Sequence, residues 1–192
     1  MKSLVIGLLL VATSFGAHAQ DQAHSQNSVP EQSKVPHAEM QKLSPMVGTW
    51  TLAMEYSPDD GATWQKAPSS EVQFSYQMKN LILGEKPLDE SSVTFQTASF
   101  YSYDQYRKTY RIAVLDDTWG IMDIYEGNIE NGILVATNLK AGTTFPMSET
   151  VSRAFRLNIT IADSTERKMI IEKSDDGGKS WQPNFKLIYT KK

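Results

Sequence analysis

The sequence predicts an all-β fold, an antiparallel up-and-down barrel of about ten strands, and three observations predict it. From Gly48 onward, apolar and polar residues alternate with a period of two, the mark of strands with one buried and one wet face. The alternating runs are separated by short clusters of Asp, Asn and Gly, which are turn chemistry. No helix of ordinary length fits between the runs, so the parallel crossovers of α/β folds are excluded. A sequential meander remains, and closing it on itself removes the exposed edges.

Before the sheet, the chain opens as an export signal. Lys2 supplies a positive end, Leu4 to Val11 form a short apolar run, and Ala17-His18-Ala19 fits a small-residue cleavage site, so residues 1–19 are expected to be removed. The apolar run is too short to cross a bilayer, and no other segment approaches the roughly 18 apolar residues a spanning helix needs. The chain holds no cysteine, so lipid tethering after the cut is unavailable. The expected destination is the periplasm or the medium. Residues 20–37 are rich in Gln, Ser, Asn and Pro and read as a flexible leader. His37, Met40, Leu43 and Val47 then recur at three to four residues, as either a short helical turn or an extended arm opening a domain over 38–192.

The strands follow in order. Trp50, Leu52, Met54 and Tyr56 share one face of the first; Val72, Phe74, Tyr76 and Met78 share one face of the next, with Leu81 and Leu83 after it. Val93, Phe95, Tyr101 and Tyr103 mark a longer strand, and Tyr110, Ile112 and Val114 another. Trp119 to Glu126, Ile133 to Asn138, Val151 to Ile161, Arg167 to Lys173 and Phe185 to Tyr189 complete the set. The turns are Asp59-Asp60-Gly61, Asp116-Asp117, Asn131-Gly132, Ala141-Gly142 and Asp175-Asp176-Gly177-Gly178.

Charge and composition narrow the function classes. Removing nineteen of the 192 residues leaves 173, with 18 basic residues scattered among 22 acidic ones, which excludes a nucleic-acid footprint. Without cysteine there is neither a disulfide framework nor thiol chemistry. His18, His24 and His37 all precede the barrel, so the domain lacks the usual proton shuttle and zinc ligand, and no metal or cofactor is expected.

Two loops echo each other: Ser57-Pro-Asp59-Asp-Gly61-Ala-Thr63-Trp64 and Ser174-Asp-Asp176-Gly-Gly178-Lys-Ser180-Trp181. Their spacing resembles the Asp box of sialidase-type propellers, in which aspartate and glycine stabilise a tight turn and the aromatic plugs the hairpin. Two boxes in 173 residues are too few for a propeller. The stretch Leu43-Ser-Pro-Met-Val-Gly48-Thr-Trp50 is similar to the Gly-x-Trp opening of lipocalin-like barrels, whose tryptophan closes the barrel base. With Tyr103 to Tyr110, Tyr125-Glu126-Gly127 and the closing Ser174 to Tyr189, residues 40–192 resemble a family of bacterial secreted calycin-like domains. That resemblance implies a lipocalin-like barrel and a small-molecule cavity, and no reaction. The related nitrobindin-like haem barrels ligate iron through a histidine, which this barrel lacks.

The candidate ligand-binding residues are Arg153, Asp123, Tyr76, Tyr101, Tyr103, Trp119 and Tyr125. Arg153 shares a face with Val151, Phe155, Leu157, Ile159 and Ile161, so it needs a partner or water. It either offers a bidentate site for an anionic group inside the barrel, or sits at a solvated rim or against Asp123. The tyrosines and Trp119 supply apolar walls with polar tips, and Met54, Met78 and Met122 adaptable ones. Gly48, Trp50, Asp59, Gly61, Trp64, Asp176, Gly178 and Trp181 are assigned structural roles. Of the carboxylates, Asp116 and Asp117 read as a turn, while Asp123 and Glu126 fall on opposite faces and make no dyad. The expected function is an exported, non-enzymatic barrel binding a small, partly apolar molecule, an anionic one included. The alternatives are an envelope protein-protein interaction module and a carbohydrate-active protein using the Asp-box hairpins.

Overall fold

The computed structural model describes residues 31–89, 95–161 and 165–192. The expected signal sequence, most of the expected leader and Val93 lie outside the described residues. A 3-10 turn (Glu31–Ser33) leads into α1 (Lys34–Gln41), followed by a second 3-10 turn (Ser44–Met46). Residues 31–37, expected within the leader, are therefore helical. Pro36 is tolerated there because the first turn has no intrahelical use for its missing N–H.

Twelve strands follow: β1 (Gly48–Tyr56), β2 (Gln65–Lys66), β3 (Ser70–Gln77), β4 (Ile82–Pro87), β5 (Thr97–Asp104), β6 (Thr109–Asp116), β7 (Met122–Glu130), β8 (Ile133–Thr137), β9 (Phe145–Pro146), β10 (Ser152–Thr160), β11 (Glu166–Ser174) and β12 (Gln182–Lys191). Ten of them form an antiparallel closed barrel in which every neighbour is the next long strand in the chain. The ring is completed by β12 on β1, from Trp50 opposite Lys191 to Tyr56 opposite Phe185. The two-residue strands β2 and β9 lie on β1 and β10. The β7–β8 turn puts Asn131 and Gly132 at φ of 52° and 79°, as a two-residue hairpin connection requires. No helix among the described residues is long and apolar enough to cross a membrane.

Strand boundaries depart from the sequence reading at Met78, which lies beyond the end of β3 with a φ of 48°, at Phe95, which precedes β5, and at the start of β7. β7 starts at Met122, not Trp119, because the Asp116 carboxylate accepts the amide N–H groups of Thr118, Trp119 and Ile121 at 2.5 to 3.0 Å. Those bonds fold 117–121 into a tight loop before the strand can begin.

The barrel is plugged at one end and open at the other. The plug is α1 with the turn after it: Met40, Leu43 and Met46 are fully buried. Two barrel tyrosines hold it, the Tyr76 hydroxyl donating to the Met40 carbonyl and the Tyr110 hydroxyl lying 2.9 Å from the Glu39 carbonyl. Trp50 is fully buried beside them, its indole N–H donating to the Met46 carbonyl at 2.8 Å. Gly48, at φ of 132°, makes the turn into β1, where an added Cβ would press on the Lys191 side chain at 3.2 Å.

At the open end the two echoing loops form nearly identical hydrogen-bond sets. The Ser57 hydroxyl accepts the Gly61 N–H at 2.7 Å, and Ser174 accepts that of Gly178 at 2.8 Å. Asp59 accepts both the N–H and the hydroxyl of Thr63 at 2.7 Å, and Asp176 those of Ser180 at 3.0 and 2.6 Å. Each tryptophan is half-buried under a cation, Lys186 over Trp64 and Arg156 over Trp181.

Candidate functional site

Ten strands enclose more space than side chains fill. The remainder is a cavity of about 650 Å³ reaching from the open end down to Glu85, Tyr101 and Tyr189. Period-two alternation generates its walls: Val114 and Asp116 on β6, Asp123 and Tyr125 on β7, and Arg153, Phe155 and Leu157 on β10 all point inward. The lining is overwhelmingly apolar. At the mouth, Trp119 is 71% exposed and packs on Phe95 with ring centroids 5.4 Å apart.

Its floor is polar and was not anticipated from the sequence. Glu85 is 3% exposed and accepts the Tyr189 hydroxyl at 3.0 Å. Burial pushes its carboxyl above the ordinary value, against the opposing charge of Arg167 and the hydrogen bond from Tyr189. Arg167, 1% exposed, has its guanidinium between the rings of Phe74 and Tyr189, 4.1 Å from each centroid, and 4.9 Å from Trp50. None of its nitrogens makes a hydrogen bond, so the rings and the charge of Glu85 are what compensate it. The Tyr101 hydroxyl is buried beside Glu85 and Ser99, and burial first, and then the charge of Glu85, push its pKa up.

On the wall, Asp123 is 4% exposed and accepts the Asn138 side-chain amide at 3.1 Å and the Ile124 N–H at 2.9 Å. Tyr125 beside it has its pKa raised, by burial and then by the charge of Asp123. Burial also works to raise Asp116, but the amide bonds from Trp119, Thr118 and Ile121 outweigh it and hold that carboxyl below its ordinary value.

The structure brings together five of the seven expected site residues. Asp123, Tyr101, Trp119, Tyr125 and Arg153 line the cavity. Tyr76 and Tyr103 do not: Tyr76 is spent on the plug, and Tyr103 packs edge-on against Tyr110 at 5.1 Å in the same lower layer. Arg153 stands at the rim, its Nε and Nη2 each 2.8 Å from the two Asp175 oxygens. Its partner is thus Asp175 and not Asp123, and its fork is occupied. Of the adaptable methionines, Met54 lines the cavity, while Met78 and Met122 are exposed. Asp59 and Asp176 turn back into their own hairpins, leaving neither for chemistry on a bound sugar. The signal that could have found Arg167 and Glu85 was present: Arg167 alternates with Met169 and Ile171, and Glu85 with Leu83, as Arg153 does with Phe155.

No curated protein matches the chain. Among solved structures, it is similar to the S-type phycobiliprotein lyase CPES from Guillardia theta, at 10% identity and a TM-score of 0.45 over 79% of this chain and 91% of the other. A family model matches residues 35–191, from α1 to the end of β12, and the chain therefore belongs to the family described as protein of unknown function (DUF1579).

Proposed function

We propose that this barrel is a binding protein for a small, largely apolar molecule held in the central cavity, without chemical conversion. One observation carries the reading: a deep, open-mouthed space of about 650 Å³ with apolar walls and a few polar groups at its floor and side. That size and lining are typical of small-molecule sites. An anionic head group at Arg153 is not favoured, because Asp175 already fills its fork. Glycoside hydrolysis by the Asp-box hairpins is not favoured either, since a carboxylate must be free to face a cleft. Asp116 is tied to turn amides, and Asp59 and Asp176 to their hairpins.

Native mass spectrometry of gently purified protein tests the reading. The expected result is a co-purifying small molecule that is lost when Leu157→Trp fills the cavity while the fold is retained. An unliganded protein that also binds no apolar probe overturns it. The exposed rim of Trp119, Met122 and Met147 favours a second reading, docking of another protein at the mouth, and a bound partner over an empty cavity would establish that instead. Export belongs to the proposal as well: protein recovered outside the cytoplasm should begin at Gln20, and an intact Met1 would refute it.

A further inference from the structure

The charged side chains of the cavity lining are already engaged by the protein itself. Among the described residues they are Glu85, Asp116, Asp123 and Arg153. Glu85 accepts the Tyr189 hydroxyl, Asp123 accepts the Asn138 amide, and Arg153 closes its fork on Asp175. Both oxygens of Asp116 hold turn amides, one that of Trp119 and the other that of Ile121. A charged or strongly hydrated group drawn inside would shed its water without gaining a free ionic partner, which is costly.

The surface left for a ligand is apolar over most of the depth. On β10 the inward residues run from Arg153 at the rim through Phe155 to Leu157, and on β12 from Phe185 through Leu187 to Tyr189, each about 13 Å of strand at 3.3 Å per residue. The mouth supplies a second, independent observation. Trp119 is largely exposed and packs on Phe95, and Met147 on the same lining is exposed too, so an apolar rim continues the cavity wall into water. An indole at such a boundary suits a molecule that is apolar below and wet above.

We infer that the cavity takes amphiphiles apolar end first: a hydrocarbon tail lies along Phe155, Leu157 and Leu187, the neck crosses the rim at Trp119, and the polar head stays outside in water. The inference rests on the binding-barrel reading and specifies the class and orientation of its ligand. The head makes no obligatory contact, so neither its charge nor its size decides binding. The ligand class therefore extends to tails borne by head groups too large to enter the barrel.

The test is titration calorimetry of the purified protein, with each probe held below the concentration at which it forms micelles. Decanoate, decyltrimethylammonium and decyl maltoside share one tail, and their affinities should agree within about fivefold. Octyl maltoside, two methylenes shorter, should bind about tenfold more weakly than decyl maltoside. Leu157→Trp, which fills the space the tail needs, should abolish binding of the decyl probes, and binding that survives it would count against the inference. The comparison of head groups stands on the native protein alone, whether or not that variant folds. Decanol, whose head is small enough to enter, is the reference. If decanol binds while decyl maltoside does not, or if either charge is preferred by a larger factor, the inference is overturned and the binding-barrel reading stands. Failure of every probe, decanol included, would overturn both.

Discussion

A single tryptophan shows how much one side chain can decide. Trp50 is fully buried, bonded to the Met46 carbonyl and flanked by Arg167 and Lys191. Trp50→Ala should cost about 3 to 5 kcal/mol, a large share of a total of about 5 to 15 kcal/mol. Trp64→Ala and Trp181→Ala, each removing a half-buried hairpin plug, should lower the melting temperature much less, and thermal melts of the three variants check the ranking. Glu85 makes a different prediction. The folded chain holds its proton more tightly than the unfolded chain does, so its contribution is full at and below its ordinary value of 4.5 and is lost as pH rises through the raised one. Asp59, Asp104 and Asp176 have lowered values and act oppositely, their contribution fading only in acid. Melting from about pH 5 to about pH 8 should therefore slope downward in the native protein and flatten in Glu85→Gln, which can still accept the Tyr189 hydroxyl. Both Glu85 and Arg167 were legible as charges on apolar strand faces. What the sequence could not show is that they meet, because β4 and β11 approach only through the closed barrel's interior.

At the level of elements, alternation identified nearly every strand because each has one dry face, and a one-residue slip would turn that whole face to water. It failed where side chains overrule the pattern. Trp119 has the residue type and parity of a strand, yet Asp116 captures its amide and bends the chain away. The helix was ambiguous for the same reason: eight residues with little apolar content are set by docking against Tyr76 and Tyr110 rather than by intrinsic propensity. The β7–β8 ladder carries a sharper constraint. Gly127 lies opposite Ala136, and a Cβ built on it would fall 1.8 Å from the Val135 carbonyl oxygen and 2.5 Å from the Ala136 Cα. Those atoms are backbone and cannot step aside. Gly127→Ala should break the local pairing, seen as loss of soluble folded protein. Gly142→Ala, where nothing lies within 4 Å but φ is 73°, should cost only about 1 kcal/mol of backbone strain.

For the molecule as a whole, the sequence could give inside and outside but not height. Tyr76, Tyr101, Tyr103 and Tyr125 all point inward, yet Tyr76 and Tyr103 lie in the plug layer, while Tyr101 and Tyr125 line the cavity. Height depends on strand tilt and stagger around the barrel, which no single strand's pattern records. A ligand filling the cavity should stabilise the whole barrel through mass action. At a hundredfold excess over Kd that amounts to about 2.7 kcal/mol, or a rise in melting temperature on the order of 5 to 10 °C, measurable by scanning calorimetry with the tightest-binding probe. The pairing of β12 with β1 has a temporal meaning too. The ring's first strand waits for its last, and Lys192 itself donates to the Thr49 carbonyl. A nascent or partly threaded chain thus keeps an unpartnered edge on β1 until β12 emerges, so the barrel locks only once that strand is made, and a truncation within β12 removes the clasp.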